Sequence, residues 1–287
     1  MTQPAILAEG LTYTYGDLVA VDHIDFSVEP SEIMGFLGPN GAGKSTVAKM
    51  LSGQIKPKAG KATVLGIDVA RHPKQVQAQA GICFEITNLY EEMSGAANLN
   101  LFASLFGVQD FNAEALLERV GLGGRGRDLV SSYSKGMKQR LMVGRALLNQ
   151  PAILFLDEPT DGLDPVSAEA IRTIILEERA RGATVFLTTH DMMEADKLSD
   201  RVAFIDQGKI AAIDTPHALK QQYGKRSLKA QVAGPDGRLE LREISLDNDH
   251  TAAAVTELFN QEQVVTLHSE EATLEDIFIQ ITGRGLA

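Results

Sequence analysis

The residues with the clearest chemical capacity form a glycine-rich loop in the N-terminal part of the sequence. The loop comprises Gly38, Pro39, Asn40, Gly41, Ala42, Gly43, Lys44, Ser45 and Thr46. Its glycines permit backbone conformations that are closed to other residues, so that successive N–H groups can converge on a phosphate. The Lys44 ammonium can reach the β and γ phosphates, and the Ser45 hydroxyl can ligate Mg²⁺. The loop therefore predicts a site for a triphosphate.

Two regular elements must hold this loop in place. The apolar run at residues 33–37 predicts a buried strand, and the spacing of Val47, Ala48, Met50 and Leu51 predicts a helix. A strand, a loop and a helix in this order form the context that a P-loop requires, and the start of the helix adds partial positive charge. A plain glycine-rich turn is the alternative interpretation, which the flanking elements disfavour.

Two carboxylates follow a second apolar strand, at residues 153–156. Open α/β sheets bind their ligands at the carboxyl ends of the strands, so Asp157 and Glu158 are expected to face the P-loop. Asp157 would hold Mg²⁺ through water, and Glu158 would orient or deprotonate an attacking water. An ordinary acidic turn is the alternative for such a pair on its own.

A histidine ends the next predicted strand. Because parallel strands end at one edge of a sheet, His190 is expected to reach the same crevice and to contact the γ-phosphate and the water. A lone histidine is more often structural or merely exposed, but its place after a strand of this sheet favours a functional role.

The amino-acid composition limits the class of partner and the cellular location that we expect for this protein. The 287 residues suffice for one large α/β domain and a small appendage, and the net charge of -11 argues against nucleic acid as the main partner. The single cysteine, Cys83, excludes an intrachain disulfide and fits a reducing, cytoplasmic compartment. We expect no signal peptide and no membrane-spanning segment, since no apolar run approaches the roughly 18 residues that a span needs.

The spacing of apolar residues changes along the chain and divides it into segments of different predicted structure. Alternation over residues 5–28 predicts antiparallel strands, and helical spacing over residues 88–149 predicts a helical insertion. From Pro151 onward, buried strands alternate with helices, which predicts a parallel sheet covered on both faces. We therefore predict one domain over residues 1–222 and a small accessory domain over residues 223–287.

The accessory domain has its own pattern. Two alternating runs flank the turn residues 234–237 and predict a hairpin. A helix and a strand follow, and Thr273 with Asp276 three residues later predicts the start of a capped last helix.

The motifs occur in an order that resembles the nucleotide-binding subunit of ABC transporters, over about residues 5–220. The matching segments are Gly38 to Thr46, Tyr133 to Met137, Asp157 with Glu158, Gly162 to Asp164, and His190. The resemblance implies an α/β fold with a P-loop NTPase (RecA-like) core, an antiparallel β subdomain and a helical subdomain, to which the chain adds a small α+β C-terminal domain. It also implies an ATPase that binds ATP and Mg²⁺.

The resemblance implies partners as well. These are a second nucleotide-binding subunit, which would make a homodimer, and a separate transmembrane permease that holds the protein at the cytoplasmic face of the membrane; no nucleic acid is expected. Ser134 and Gly136 would contact the γ-phosphate held by the second subunit, and Asp164 would lie across the dimer interface. Ser134 can equally be a helix N-cap, and the two roles are compatible.

The same resemblance gives two further roles. Tyr15 would stack on adenine, although a core or sheet-surface aromatic is the alternative. Glu85 would lie in the loop that senses the membrane partner and would act as a metal ligand.

Three positions depart from the family pattern and affect the expected hydrolysis rate and dimer closure. Glu85 replaces the usual glutamine and adds a negative charge beside the phosphates. Lys135 and Met137 replace a glycine and the glutamine of the usual LSGGQ signature, and Lys135 either contacts phosphate or ribose or is a solvated helix residue. Ser31 replaces a glycine before the P-loop strand.

The end of the chain, residues 273–278, resembles the ATP-binding subunits of ABC-2-type exporters, which handle drugs, antibiotics, sodium or polysaccharides. We predict an ATPase subunit that powers export by a separate membrane subunit.

One alternative is a non-transport ABC ATPase of DNA repair or translation, which lacks support from a second P-loop, a long heptad segment or a basic face. A P-loop kinase leaves the Ser134 segment unexplained. A regulatory module that binds ATP with little hydrolysis is suggested by Glu85 and Lys135.

Overall fold

The structure is a computed structural model and describes residues 3–224, 227–233, 238–246, 250–270 and 272–285. These residues fall into two compact units, divided between Ile213 and Asp214. The division precedes the predicted boundary after residue 222, because the helix Pro216–Tyr223 packs against the last helix, Leu274–Thr282. Periodicity identifies a helix but not the neighbour that it packs against.

The first unit contains strands and helices that alternate regularly only in its last part, from residue 153 to residue 206. In chain order they are β1 (Ile6–Tyr15), β2 (Leu18–Val28), β3 (Ile33–Leu37), α1 (Lys44–Leu51), β4 (Ala59–Val64), β5 (Ile67–Asp68), α2 (Pro73–Gln77), β6 (Ala80–Cys83), α3 (Gly95–Leu105), α4 (Ala113–Arg119), α5 (Lys135–Ala146), β7 (Ile153–Asp157), α6 (Pro165–Ala180), β8 (Thr184–Thr189), α7 (Met192–Leu198), β9 (Arg201–Asp206) and β10 (Lys209–Asp214). The short elements β5, α2, β6 and β10 were not predicted, because so few residues carry little periodic signal.

The central sheet positions the loops that carry chemistry. Its strand order is β10-β9-β3-β8-β7-β6, and β3, β6, β7, β8 and β9 are paired in parallel. Strand β3 therefore lies next to β8, which in turn lies next to β7. The loops that follow these three strands begin at the same edge of the sheet.

The predicted covering of both faces is confirmed by the packing of β7. Ile153 and Phe155 belong to one buried cluster, together with Val47 of α1. Leu154 and Leu156 belong to the other, together with residues of α5 and α6. Alternate side chains of a strand point to opposite faces, so a strand buried on both faces reads as an unbroken apolar run.

The other predicted parts of the first unit are also confirmed. Strands β1 and β2 pair antiparallel, in a sheet of order β2-β1-β4-β5. Helices α3, α4 and α5 lie within the predicted insertion, and their N-caps are Ser94, Asn112 and Ser134, each of which accepts a backbone N–H with its side chain. Such caps fix where each helix begins.

Ser31 adopts a left-handed backbone with a φ of 61°. Its N–H donates to Thr184 Oγ1 at 3.0 Å, and its hydroxyl donates to the Gly182 carbonyl oxygen at 3.0 Å. A glycine would take this conformation without steric cost. The two hydrogen bonds offset that cost and explain how serine is accommodated before β3.

The second unit comprises α8 (Pro216–Tyr223), β11 (Ser227–Ala233), β12 (Leu239–Ser245), α9 (Thr251–Gln261), β13 (Gln263–Glu270) and α10 (Leu274–Thr282). Its sheet is antiparallel, in the order β12-β11-β13, and Leu258 of α9 packs on Ala230 and Val232. The predicted turn at 234–237 lies outside the described residues. The predicted cap is confirmed, since Thr273 and Asp276 form a capping box at the start of α10.

Cys83 is fully buried at the end of β6. Burial raises the pKa of its thiol to about 12, because the apolar surroundings disfavour the thiolate. The thiol therefore stays protonated at neutral pH. Within the described ranges, no helix has both the length and the apolar character needed to cross a membrane.

Candidate active site

The P-loop connects β3 to α1 and depends on glycine at two positions. Gly43 has a φ of 109°, and a Cβ there would collide with the Ala20 carbonyl oxygen. A Cβ at Gly38 would collide with the Ile205 carbonyl oxygen. The backbone of the loop thus approaches neighbouring backbone too closely for any side chain. Helix α1 begins at Lys44, so its free N–H groups lie at the loop.

Lys44 is buried, with 5% of its surface exposed. Its Nζ donates to the carbonyl oxygens of Gly38 at 2.7 Å and Pro39 at 3.3 Å, and it lies 3.2 Å from Glu158 Oε1. Among the described residues, that buried carboxylate oxygen accepts no hydrogen bond, although the Lys44 ammonium lies beside it. The pair is therefore held by charge, and Glu158 Oε1 keeps an unused hydrogen-bond acceptor site.

Ser45 and Asp157 meet beside this pair. Asp157 Oδ1 accepts a hydrogen bond from Ser45 Oγ at 3.0 Å and another from Thr188 Oγ1. No group of three or more His, Cys, Asp and Glu side chains is placed to hold a metal in the described part of the chain. A hydroxyl and a carboxylate suit Mg²⁺, which takes most of its ligands from water and phosphate.

His190 lies against the other side of Glu158. Its Nδ1 is 2.9 Å from Glu158 Oε2, and its backbone N–H donates to the same oxygen at 3.3 Å. Its Nε2 lies 3.8 Å from Asp161 Oδ1. Glu158 itself has a φ of 49°, a left-handed conformation that directs the carboxylate toward both Lys44 and His190. Asp161 was not predicted as a site residue, although it lies in the same acidic loop.

A cavity of about 500 Å³ joins these groups. Besides the P-loop, its wall contains Glu85, Glu158 and His190, as predicted. Tyr15 is 48% exposed at the wall, and its ring packs edge-on against Tyr13 with centroids 4.9 Å apart. Tyr15 is thus a sheet-surface aromatic at the cavity, which leaves its outer face open to a base.

The wall also contains Leu18 and Ala20, which were not predicted. Leu18 lies directly opposite Tyr15 in the β1–β2 pair. A tight turn in the sequence, at residues 16–17, was the signal that could have found this neighbour.

Three predicted residues lie elsewhere on this chain. They are Ser134, Gly136 and Asp164, which do not line the cavity. Gly38 and Ala42 of the P-loop and Asp157 also lie outside the lining, although Asp157 accepts a hydrogen bond from Ser45, which is part of it. Ser134 Oγ accepts from the Met137 N–H at 3.2 Å, which confirms its N-cap role. Asp164 caps α6, and the backbone N–H of Ser167 is the main cause of its lowered pKa.

Gly136 lies against the residues that begin helix α6, among them Asp164. A Cβ at Gly136 would lie 2.6 Å from Ser167 Oγ, so the starts of α5 and α6 touch at this glycine. Lys135 Nζ lies 3.7 Å from Asp161 Oδ2, although both side chains are exposed. Lys135 is therefore a solvent-exposed residue outside the cavity, and its ammonium lies over the acidic loop of its own chain.

Comparison with known proteins identifies the family. A family model described as "ABC transporter" matches residues 21–161. A fluoroquinolones export ATP-binding protein of Mycobacterium tuberculosis (strain H37Rv) is 43% identical over 283 residues, covering 98% of this chain and 94% of that protein. The chain belongs to the ABC transporter family. A second ABC relative, a daunorubicin resistance ATP-binding protein of Streptomyces coeruleorubidus, is 40% identical over 80% of this chain and 72% of its own length.

Solved structures of ABC proteins share the fold. One described as an ATP-binding subunit of an ABC transporter has a TM-score of 0.70 and 30% identity, and covers 76% of this chain and 93% of its own. A dimeric ATP-binding cassette bound to ADP and Pi has a TM-score of 0.67 at 22% identity. The predicted family and fold class are confirmed, and this ABC protein binds nucleotide as an ATPase of that family.

Proposed function

We propose that this protein hydrolyses ATP to power export through a separate membrane subunit of the ABC-2 type. One observation carries the proposal: Lys44, Ser45, Glu158 and His190 line one cavity from three loops of the parallel sheet, and Asp157 accepts a hydrogen bond from Ser45. The relatives named above are ATP-binding proteins of drug export and drug resistance, which supports export over the other uses of this fold.

Each residue has a role that its contacts support. Lys44 would exchange its bond to Glu158 for phosphate oxygens, and Glu158 would then orient and deprotonate the attacking water, with His190 beside it. Ser45 and Asp157 would hold Mg²⁺, which neutralises phosphate charge, and Glu85 lies in the same cavity wall as a further oxygen donor. We therefore take Glu158 and His190 as the catalytic pair.

The site needs a second subunit. Ser134 and Gly136 do not line the cavity of their own chain, so we expect them to contact a γ-phosphate that another copy holds. Two copies would sandwich two ATP molecules, with Asp164 at the interface. Closure would depend on the γ-phosphate, so hydrolysis would reopen the dimer.

The membrane subunit would dock near residues 85–108. A cavity of about 450 Å³ lies between β6, α3 and α5, with Phe102 and Arg145 in its wall. Leu105 and Phe106 border it and are 70% and 50% exposed. An apolar segment of a permease would bury these side chains.

Two measurements on the purified chain test the proposal. We expect phosphate release from ATP, and we expect a membrane subunit to co-purify from detergent extracts. Nucleotide binding without phosphate release would favour the regulatory alternative. Recovery with nucleic acid or ribosomal components instead of a membrane subunit would favour the non-transport alternative.

Tyr15 provides a test of how the adenine base of ATP is bound. Tyr15→Ala should weaken ATP binding by about 5- to 150-fold, because stacking of a base on an aromatic ring contributes about 1–3 kcal/mol. Tyr15→Phe keeps the ring and should bind normally. Titration with a fluorescent ATP analogue measures both. Equal affinity of the alanine variant and the wild type would leave Tyr15 as a sheet-surface residue only.

A further inference from the structure

A buried carboxylate outside the proposed catalytic set connects two of its loops. Glu194, at 4% exposure, lies in the first turn of α7. Both of its oxygens lie 2.6 Å from Thr160 Oγ1, and Thr160 belongs to the loop between Glu158 and Asp164. Glu194 Oε2 also lies 3.5 Å from the hydroxyl of Thr189, the residue before His190. One carboxylate thus contacts the loop that follows β7 and the last residue of β8.

Capping of α7 does not explain this placement. Glu194 is the third residue of the helix, where a glutamate commonly accepts the N–H of the N-cap residue. The N-cap here is Asp191, and its N–H donates to Thr189 Oγ1 at 2.9 Å instead. The Asp191 side chain accepts the N–H groups of Met193 and Glu194. The start of α7 is therefore satisfied without the Glu194 carboxylate.

Burial of this carboxylate is unfavourable in itself. Desolvation is the main cause that raises the pKa of Glu194, and the hydroxyl of Thr160 opposes it. Arg172 Nε is 4.0 Å from Glu194 Oε1 and, among the described residues, makes no hydrogen bond. Because a buried charge costs free energy, a neutral side chain of the same shape should fold at least as well. Stability and activity can therefore be separated at this position.

We propose that Glu194 is a positioning residue for ATP hydrolysis. By binding Thr160 and Thr189, it holds the loop of Glu158 and the loop of His190 together, so that Glu158 Oε2 and His190 Nδ1 remain 2.9 Å apart. This role rests on the proposed function, and it acts on the catalytic step rather than on nucleotide affinity.

The test uses variants of the full chain that remove the contact from either side. Thr160→Val removes the hydroxyl with little change in size, Thr160→Ser restores it, and Glu194→Gln keeps the side-chain length without the charge. Thr173→Val, an exposed threonine on α6, is the matched control. For each variant we would measure kcat and KM for ATP, the affinity for a non-hydrolysable ATP analogue, and the melting temperature.

We expect Thr160→Val to lower kcat about tenfold, the loss of one hydrogen bond to a charged group. KM and analogue affinity should change little, whereas the melting temperature should fall, because the buried Glu194 carboxylate loses the hydroxyl that offsets its desolvation. Thr160→Ser should recover most of kcat, and Glu194→Gln should lower it by about threefold or more without loss of stability, because an amide oxygen is the weaker acceptor. The double variant Thr160→Val/Glu194→Gln should be no slower than the slower single variant.

Other outcomes overturn the proposal. Wild-type kcat in both Thr160→Val and Glu194→Gln, or a fall in the kcat of Glu194→Gln that only follows a fall in its melting temperature, would leave Glu194 without a positioning role. A wild-type chain that releases no phosphate would instead refute the proposed function, and the positioning role with it. The wild-type measurement therefore distinguishes the two failures.

Discussion

Glu158→Gln should slow ATP hydrolysis by at least about a hundredfold, the usual contribution of a general base. The carboxylate lies between Lys44 Nζ at 3.2 Å and His190 Nδ1 at 2.9 Å, and its Oε1 keeps an unused acceptor site. Glutamine has the same length but cannot take a proton from water. Binding of ATP should persist, so the ATP-bound dimer should accumulate.

Two measurements decide this prediction. Phosphate release reports turnover, and light scattering after gel filtration with ATP reports the dimer. The matched control is Glu257→Gln, an exposed glutamate on α9, which should hydrolyse ATP at the wild-type rate. Turnover of the Glu158→Gln variant within about threefold of wild type would contradict the assigned role, since general-base catalysis contributes far more than this.

Lys44→Ala should have two separate effects. Loss of the ammonium removes hydrogen bonds to phosphate, and we expect ATP affinity to fall about 10- to 100-fold. It also leaves the buried Glu158 carboxylate without its nearest cation. Removal of one partner of a buried ion pair typically costs about 3 kcal/mol or more, so the free energy of unfolding should fall as well.

A double variant separates these effects. Lys44→Met/Glu158→Gln removes both charges, so most of the lost stability should return while ATP affinity stays low. Denaturant unfolding and nucleotide titration measure the two quantities. Lys49→Ala, at the other end of α1, should change each only slightly. If Lys44→Ala were as stable as wild type, the pair would have no role in the nucleotide-free fold.

Much of the fold could be predicted because its signals are local. An unbroken apolar run predicts a strand buried on both faces, and β3 and β7 are such strands. The helix starts were predictable where a side chain caps them, as Thr273 does for α10. Strand order was not predictable, because β3 pairs with β8 and β9, which lie far away in the sequence. The division between the two units precedes the predicted boundary for the same reason, since α8 packs against α10.

The residues of the candidate site could be predicted from one topological rule, but the contacts among them could not. Parallel strands end at one edge, so the meeting of Ser45 with Asp157 could be expected from the motifs. The bond from Thr160 to Glu194 could not, because a glutamate in a first helical turn suggests local capping. The left-handed backbone of Glu158 is likewise invisible in the sequence, since a carboxylate gives no conformational signal comparable to that of glycine.

The protonated, enclosed thiol of Cys83 makes the wild-type chain a clean background for spectroscopic labelling. With one cysteine in 287 residues and that sulfur closed to solvent, maleimide dyes and nitroxide probes should leave the native protein unmodified. A cysteine placed at an exposed position such as Val166 on α6 would then be the one thiol that reacts with the probe. Two copies labelled there would report, through the distance between their probes, how the assembly responds to each step of the nucleotide cycle.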